Sequence, residues 1–404
     1  MGLLKQYHLF LLFIFVACAP IYAQQDSLGR YDRPSICELM VSRGGRIFER
    51  ELDLIFREKE VPERFNDHNL GVKTVQFITN EADIHNEIAS FLRQQTVGKK
   101  MVAKWFSRKK QTGDMDIHLI TERGLYNATK IDVAIARQTI RGEHILADAG
   151  EKLIHRTFII VHDYSFDHKY FLFKQKGAGK QDTTSRVLDL NNREDVDWYN
   201  NQLYKADLQL ANISVGCVSY LFQLQWTEET AAIFYHNYYT TTTNHDQNKV
   251  NAFNADKSTF QLLYLGKYQS HVKERNTRNY SNQKLVQKAC VRLVDMNIAA
   301  LQHQFPLFRI KARLQNTTEN KVFKAYIGLK EDVNPNTKFE VLEPELHEDG
   351  AYSYKRVGVI QPIEGKIWDN RYMATDEVDS DIDATYFKQV SGGNLYPGLL
   401  IREL

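Results

Sequence analysis

The densest set of chemically capable side chains is His162-Asp163-Tyr164-Ser165-Phe166-Asp167-His168. Two imidazoles and two carboxylates in so short a span could hold a divalent metal, because ring nitrogen and carboxylate oxygen are ordinary ligands of such ions. A metal there would make the segment the centre of a periplasmic metal-dependent hydrolase, with His162, Asp163, Asp167 and His168 as ligands and His68 as a candidate base. The competing reading is a polar loop with surface histidines. Ligands within one short loop must all turn the same way, and no distant partner motif accompanies them. A second polar cluster, Asn66-Asp67-His68-Asn69-Leu70-Gly71, favours turn chemistry, since Asx side chains bond their own backbone and shape a loop with no ligand. Gly177-Ala178-Gly179-Lys180 is no phosphate loop: Lys174 stands where the first glycine is needed, and Gln181 follows the lysine. No Gly-x-Ser-x-Gly elbow or Cys–His signature is found, so the residues favour binding over catalysis and require no cofactor. Trp368-Asp369-Asn370-Arg371-Tyr372 mixes aromatic and polar types as recognition surfaces do, the plainer alternative being a buried Trp368 beside a turn.

These segments need elements to position them. Thr157–His162 is a continuous apolar run of the doubly buried strand type, which would set the His162–His168 segment at a strand end. Arg33–Val41 and Val72–Ile78 also read as strands. Arg46–Arg57, Ile84–Leu92, Met101–Phe106 and Ile117–Tyr126 read as helices, and Ile131–Ile154 as the longest helix candidate. In the second half Ser214–Trp226 alternates, with Val218, Tyr220, Phe222, Leu224 and Trp226 on one face. Thr227 and Ser281 are placed to cap helices over Glu228–Tyr239 and Asn282–His303, and Thr240–Asn254 reads as a polar loop. Phe260–Tyr268 and Phe308–Leu314 are further strands. From Ala325 onward, short alternating runs are separated by turn clusters such as Ser391-Gly392-Gly393-Asn394, the pattern of a sheet curling on itself.

The expected fold is therefore α/β (α+β): a mixed sheet with packed helices in two lobes, residues 30–190 and 205–318, plus a small β-barrel-like module at 325–404. The N-terminal residues 1–23 read as a signal peptide. Lys5 precedes an apolar core, Leu9–Ala17, and Ile21-Tyr22-Ala23 fits a peptidase site, so cleavage is expected after Ala23. Cys18 offers a lipid anchor as the lesser alternative. Both readings place the chain outside the cytoplasm, in the periplasm or at the outer-membrane periphery. Three cysteines, Cys37, Cys217 and Cys290, then remain in apolar runs far apart, and buried free thiols are expected. A net charge of +2 gives no basic face for nucleic acid.

Several stretches together resemble a group of exported Bacteroidetes proteins to which no activity is attached: Arg33–Val41, Phe65–Gly71, Glu151–Ile154 with Thr157–Val161, Ala325–Glu331, Lys338–Leu342, Val357–Ile360, Ile367–Tyr372 and Tyr396–Glu403. The strand, helices and helix-to-strand unit at Asp148–Val161 are more distantly similar to the curli-secretion-channel (CsgG-like) envelope proteins. Phe339–Leu342, Val357–Val359 and Pro397–Leu399 resemble the small β domain of flagellar assembly protein T, with Leu399 in place of its usual acidic residue. The resemblance implies an envelope scaffold or assembly role with envelope proteins as partners, and it leaves self-association open. Asp26-Ser27-Leu28 and Asp182-Thr183-Thr184 are similar to Bacteroidetes O-glycosylation acceptors at Ser27 and Thr183. A pore component is the other alternative, because the Ser214–Trp226 run is long enough to cross a bilayer at a tilt.

Overall fold

Two apolar runs, Ser35–Ser42 and Thr157–Phe166, lie side by side as parallel strands and found the central sheet. The computed structural model describes residues 30–43, 47–77, 83–127, 150–167, 172–175, 183–184, 192–203, 208–346, 352–377 and 381–404. In chain order the strands are β1 (Tyr31–Asp32), β2 (Ser35–Ser42), β3 (Asn66–Asp67), β4 (Thr74–Gln76), β5 (Thr157–Phe166), β6 (Leu172–Gln175), β7 (Thr183–Thr184), β8 (Leu208–Leu224), β9 (Leu262–Arg275), β10 (Lys311–Arg313), β11 (Gln315–Asn316), β12 (Val322–Ala325), β13 (Phe339–Leu346), β14 (Tyr352–Pro362), β15 (Thr385–Gly392) and β16 (Leu400–Glu403). The labelled helices are α1 (Glu49–Glu58), α2 (His85–Gln94), α3 (Val97–Trp105), α4 (His118–Asn127), α5 (Arg193–Leu203), α6 (Glu228–Asn237), α7 (Gln247–Ala255) and α8 (Asn282–Gln304).

The fold class is α+β, with a mixed sheet under helices and a curled, barrel-like β module. The body sheet runs β3-β2-β5-β8-β6-β7, with β4 also on β2 and β9 on the far side of β8. Strands β3, β4 and β5 run parallel to β2, whereas β8 is antiparallel to both β5 and β9. Helices cover both faces. Ile36, Met40, Phe158, Ile160 and Tyr164 pack with α1 and α8, while Cys37, Leu39, Val41, Ile159 and Val161 pack with α2, α3 and α6. This explains why β2 and β5 read as unbroken apolar runs: each alternation still points into a core.

The strands expected in two lobes lie in one sheet, so the boundary near residue 190 does not divide the body. Strand β8 is the reason. At 17 residues it is long enough to pair with β5 and β6 on one side and with β9 on the other. Both alternating faces of the Ser214–Trp226 run meet a core. Ser219 and Gln223, which alternate with Tyr220, Phe222 and Leu224, are buried as those three are.

The second sheet runs β1-β10-β16-β13-β14-β15-β12-β11, antiparallel throughout. It is larger than the expected 325–404 module, because β10–β12 and the N-terminal β1 join it. The run around Lys311–Arg313 was expected to end the preceding lobe. Instead β10 bridges β1 and β16, pairing Asp32 with Lys311 and Ala312 with Ile401. Its core, including Leu314, Phe323, Val341, Ile360, Phe387 and Ile401, is separate from the two body cores.

Helix caps follow the sequence. Thr227 accepts from the Thr230 amide and Ser281 from the Lys284 amide, starting α6 and α8. Helix α7, by contrast, lies inside the expected polar loop Thr240–Asn254. Its signals were an Asp246 cap and only two buried apolar residues, Val250 and Phe253. Most of the Ile131–Ile154 helix candidate, and residues 1–29 with Ser27, lie outside the described residues.

Candidate functional site

The segment expected to leave the sheet at His162 stays in it. β5 continues to Phe166, so His162 and Asp163 are strand residues and point to opposite faces. His162 joins Ile160 and Tyr164 toward α1 and α8. Asp163 points the other way, where Arg43 meets it with Nη2 to Oδ2 at 2.5 Å and Nε to Oδ1 at 3.2 Å. Strand alternation thus separates the proposed ligands. Asp167 follows the strand and its amide donates to the Ser214 carbonyl at 3.1 Å, while His168 lies outside the described residues. Among the described residues no group of three or more His, Cys, Asp or Glu side chains could hold a metal ion.

What surrounds His162 is a buried relay that sequence spacing did not disclose. Its register partner on β8 is Ser219, and Nδ1 lies 2.8 Å from the Ser219 hydroxyl. That oxygen also accepts from Asn297 Nδ2 of α8 at 2.8 Å. Nε2 faces Glu38 Oε1 of β2 at 3.7 Å, beyond hydrogen-bond range. Lys59, just past α1, grips both Glu38 oxygens at 2.5 and 2.7 Å. At the other end Ser270 of β9 bonds to Asn297 Oδ1, while Asn297 Nδ2 also reaches the Cys217 carbonyl.

Serine, histidine and glutamate in contact are the residue types of an activated nucleophile. Here they are closed to substrate: His162 and Ser219 are 0 % exposed and Glu38 is 4 %. Burial lowers the His162 pKa, with Glu38 opposing it, so the ring stays neutral. Burial by itself would raise the Glu38 pKa, but the Lys59 ammonium overrides it and holds the carboxyl well below the usual range. Hydrogen bonds join β5, β8, β9 and α8 here, and Glu38 of β2 faces the imidazole at 3.7 Å as a charge, not as a hydrogen-bond partner.

His68 is likewise committed. Its Nε2 donates to the Met101 carbonyl at 2.9 Å, and Nδ1 accepts from Arg123 at 2.9 Å. Burial and the Arg123 charge push its pKa well below the ordinary value. With both nitrogens engaged and no exposure, it has no free site for a substrate proton. The surrounding turn has the expected chemistry, as Asp67 Oδ1 accepts from the Asn69 amide at 2.8 Å.

The Trp368–Tyr372 segment turns its polar atoms inward. The Trp368 carbonyl accepts from the Leu329 amide at 3.0 Å, and Asn370 bonds the Lys330 amide and the Glu331 carboxylate at 2.8 and 2.7 Å. Tyr372 O accepts from Arg292 of α8 at 2.8 Å. Asp369 and Arg371 pair with each other at 2.6 Å, and Trp368 is only half-buried. The segment is a clasp that holds the Leu329–Glu331 turn and α8 together. Thr183 lies on β7, which pairs with β6. Cys37, Cys217 and Cys290 are buried thiols outside any disulfide, as expected.

One long backbone edge contrasts with these closed groups. Strand β9 pairs with β8 over nearly its whole length, and among the described residues no strand pairs with its other edge. A bulge at Leu265 shifts its register, after which Lys267, Gln269, His271, Lys273 and Arg275 all face away from α8 and are exposed.

No family model matches the chain, and no curated protein matches it.

Proposed function

We propose that the protein is an exported cell-envelope scaffold or accessory protein that acts by binding other envelope proteins. The observation that carries this reading is the outer edge of β9, 14 residues long, with which no described strand pairs. An unpaired strand edge presents backbone donors and acceptors that a partner chain can complete. The Lys5 and Leu9–Ala17 leader and the resemblance to envelope proteins support the address. The buried relay and the clasp support a rigid carrier, since both spend polar side chains on fixing elements relative to one another.

Cross-linking in the cells that make the protein, followed by mass spectrometry of the envelope fraction, tests the reading. Reproducible cross-links to one or a few envelope proteins are expected. Recovery in the cytoplasm, or no cross-linked protein above background, would overturn it.

A further inference from the structure

We infer that the ends of α2, α3 and α7 form a cationic face that docks on an anionic lipid surface. The inference rests on the envelope address above and adds how the protein is held there. Two observations carry it: the segregation of charge in the sequence and the lack of acidic partners in the fold. Between Glu87 and Asp114 the chain has seven cations and no acid, although its net charge is only +2. The remainder of the chain is therefore net acidic, and its basic character is gathered in one stretch.

Two of these cations are spent. Lys104 turns inward to the Asn69 carbonyl at 2.8 Å. Lys99 donates to the Phe253, Asn254 and Asp256 carbonyls at the end of α7, at 3.2, 3.0 and 2.5 Å, with the Asp256 carboxylate nearby. That contact fixes α3 against α7 and gathers further charge around it. Arg93 and Lys257 line one cleft with Lys99, and Lys100 and Arg108 also lie within electrostatic reach of it. Arg108 bonds only the neutral Asn254 side chain, at 2.9 Å. Arg93, Lys100 and Lys257 are exposed, with no hydrogen bond or ion pair among the described residues. Asp256, the carboxylate of the cleft, accepts from the Thr259 hydroxyl and amide at 2.7 and 3.1 Å. Four positive charges on this face thus have no carboxylate paired with them.

The form of the face selects among anions. The cleft measures about 30 Å³, room for two or so waters and too little to enclose a multiply charged small molecule. A protein partner would need a buried anchor at the centre of its contact, most often an aromatic ring. The rings beneath this face, Trp105, Phe106, Phe253 and Phe260, are all buried in the body core. What remains is an occupant that spreads its negative charge over a plane, as lipid phosphates do. Clustered lysine and arginine side chains are attracted to such a surface without a shaped pocket.

The test sediments protein purified from the cells that make it with two kinds of vesicle: phosphatidylcholine alone, and phosphatidylcholine with phosphatidylglycerol in equal parts. The protein should bind the mixed vesicles and not the neutral ones, and raised salt should release it. R93Q/K100Q/K257Q, with its fold checked by circular dichroism, should weaken binding about a hundredfold, since each cation near an anionic surface contributes about fivefold. K338Q/K388Q, which removes exposed charge from the β module, should leave binding unchanged. No binding, equal binding to neutral vesicles, an unchanged triple variant or an equal loss in K338Q/K388Q would each overturn the inference. Release by inorganic phosphate beyond that by chloride at equal ionic strength would assign the face to a free anion and overturn it too. Cellular cross-links that place a protein on residues 93–110 would do the same. All of these outcomes leave the scaffold reading standing, whereas recovery of the protein in the cytoplasm sinks that reading itself.

Discussion

His162 has two ring nitrogens, and the fold gives them different neighbours: the Ser219 hydroxyl on one side and the Glu38 carboxylate on the other. His68 is equally enclosed, between Met101 and Arg123. Both pKa values are lowered, first by burial. The unfolded chain therefore takes up protons near pH 6.5 that the folded chain refuses. This stabilisation is complete above that pH and is lost as pH falls toward the folded values. Urea unfolding should show declining stability from pH 7.5 to 5.5, and H68N or H162N should each make the decline shallower. A flat wild-type profile would contradict the buried neutral state. Glu38 adds a second, lower window, since its depressed pKa contributes stability above about 4.5 that disappears below it. Lys59 is the cause of that depression, so K59M leaves a buried carboxylate alone and should cost about 3–5 kcal/mol. E38L/K59M should recover most of the loss. If the double variant is no more stable than K59M, the pair is not the source of the cost.

At the scale of elements, some parts were legible because a single local rule decided them. Helix α8 has its Ser281 cap and its buried row of Leu285, Ala289 and Leu293, and both lie within one stretch of chain. The β module could be read from turn clusters for the same reason. Helix α7 was hidden by its polar composition. The His162 site was hidden more deeply. Alternation along β5 sends His162 and Asp163 apart, and the true neighbours of His162 come from β2, β8 and α8 through register. A repeat of two counted along Thr157–Phe166 would have separated the pair; nothing local points to Ser219 or Asn297. The clasp gives an element-level prediction. A Cβ on Gly328 would collide with the Trp368 carbonyl, the atom that receives the Leu329 amide. G328A should cost about 1–3 kcal/mol, as overpacking does, and loosen the Trp368–Tyr372 segment from α8. Thermal unfolding with hydrogen exchange at residues 366–373 checks it; an unchanged exchange rate would show that the clasp does not depend on this approach.

The whole molecule is held together where the chain passes between its sheets. Strand β1 belongs to the module sheet and β2 to the body, with only Arg33 and Pro34 between them. Asp32 sits at that crossing, almost fully buried. One carboxylate oxygen accepts from Arg156 at 2.7 Å and Asn127 at 3.0 Å, and the other from Lys311 at 2.6 Å. Burial would raise its pKa, but the Arg156 and Lys311 charges override this and keep it ionised far below the usual range. Elsewhere along the junction Arg64 pairs with Glu331, and Lys330 lies 3.3 Å from Asp295 of α8. A junction of buried, paired charges holds only while every partner is present, because a charge stranded in low dielectric costs more than the pair contributes. Wild type should therefore unfold in one transition, body and module together. D32N keeps the side chain's size but leaves Arg156 and Lys311 without their anion, and should cost about 3–5 kcal/mol. The loss should appear first in the module: exchange at β10 and β16 should rise while β5 stays protected. An equal rise in β5 would mean that Asp32 supports the molecule globally and is not a tie between its two sheets.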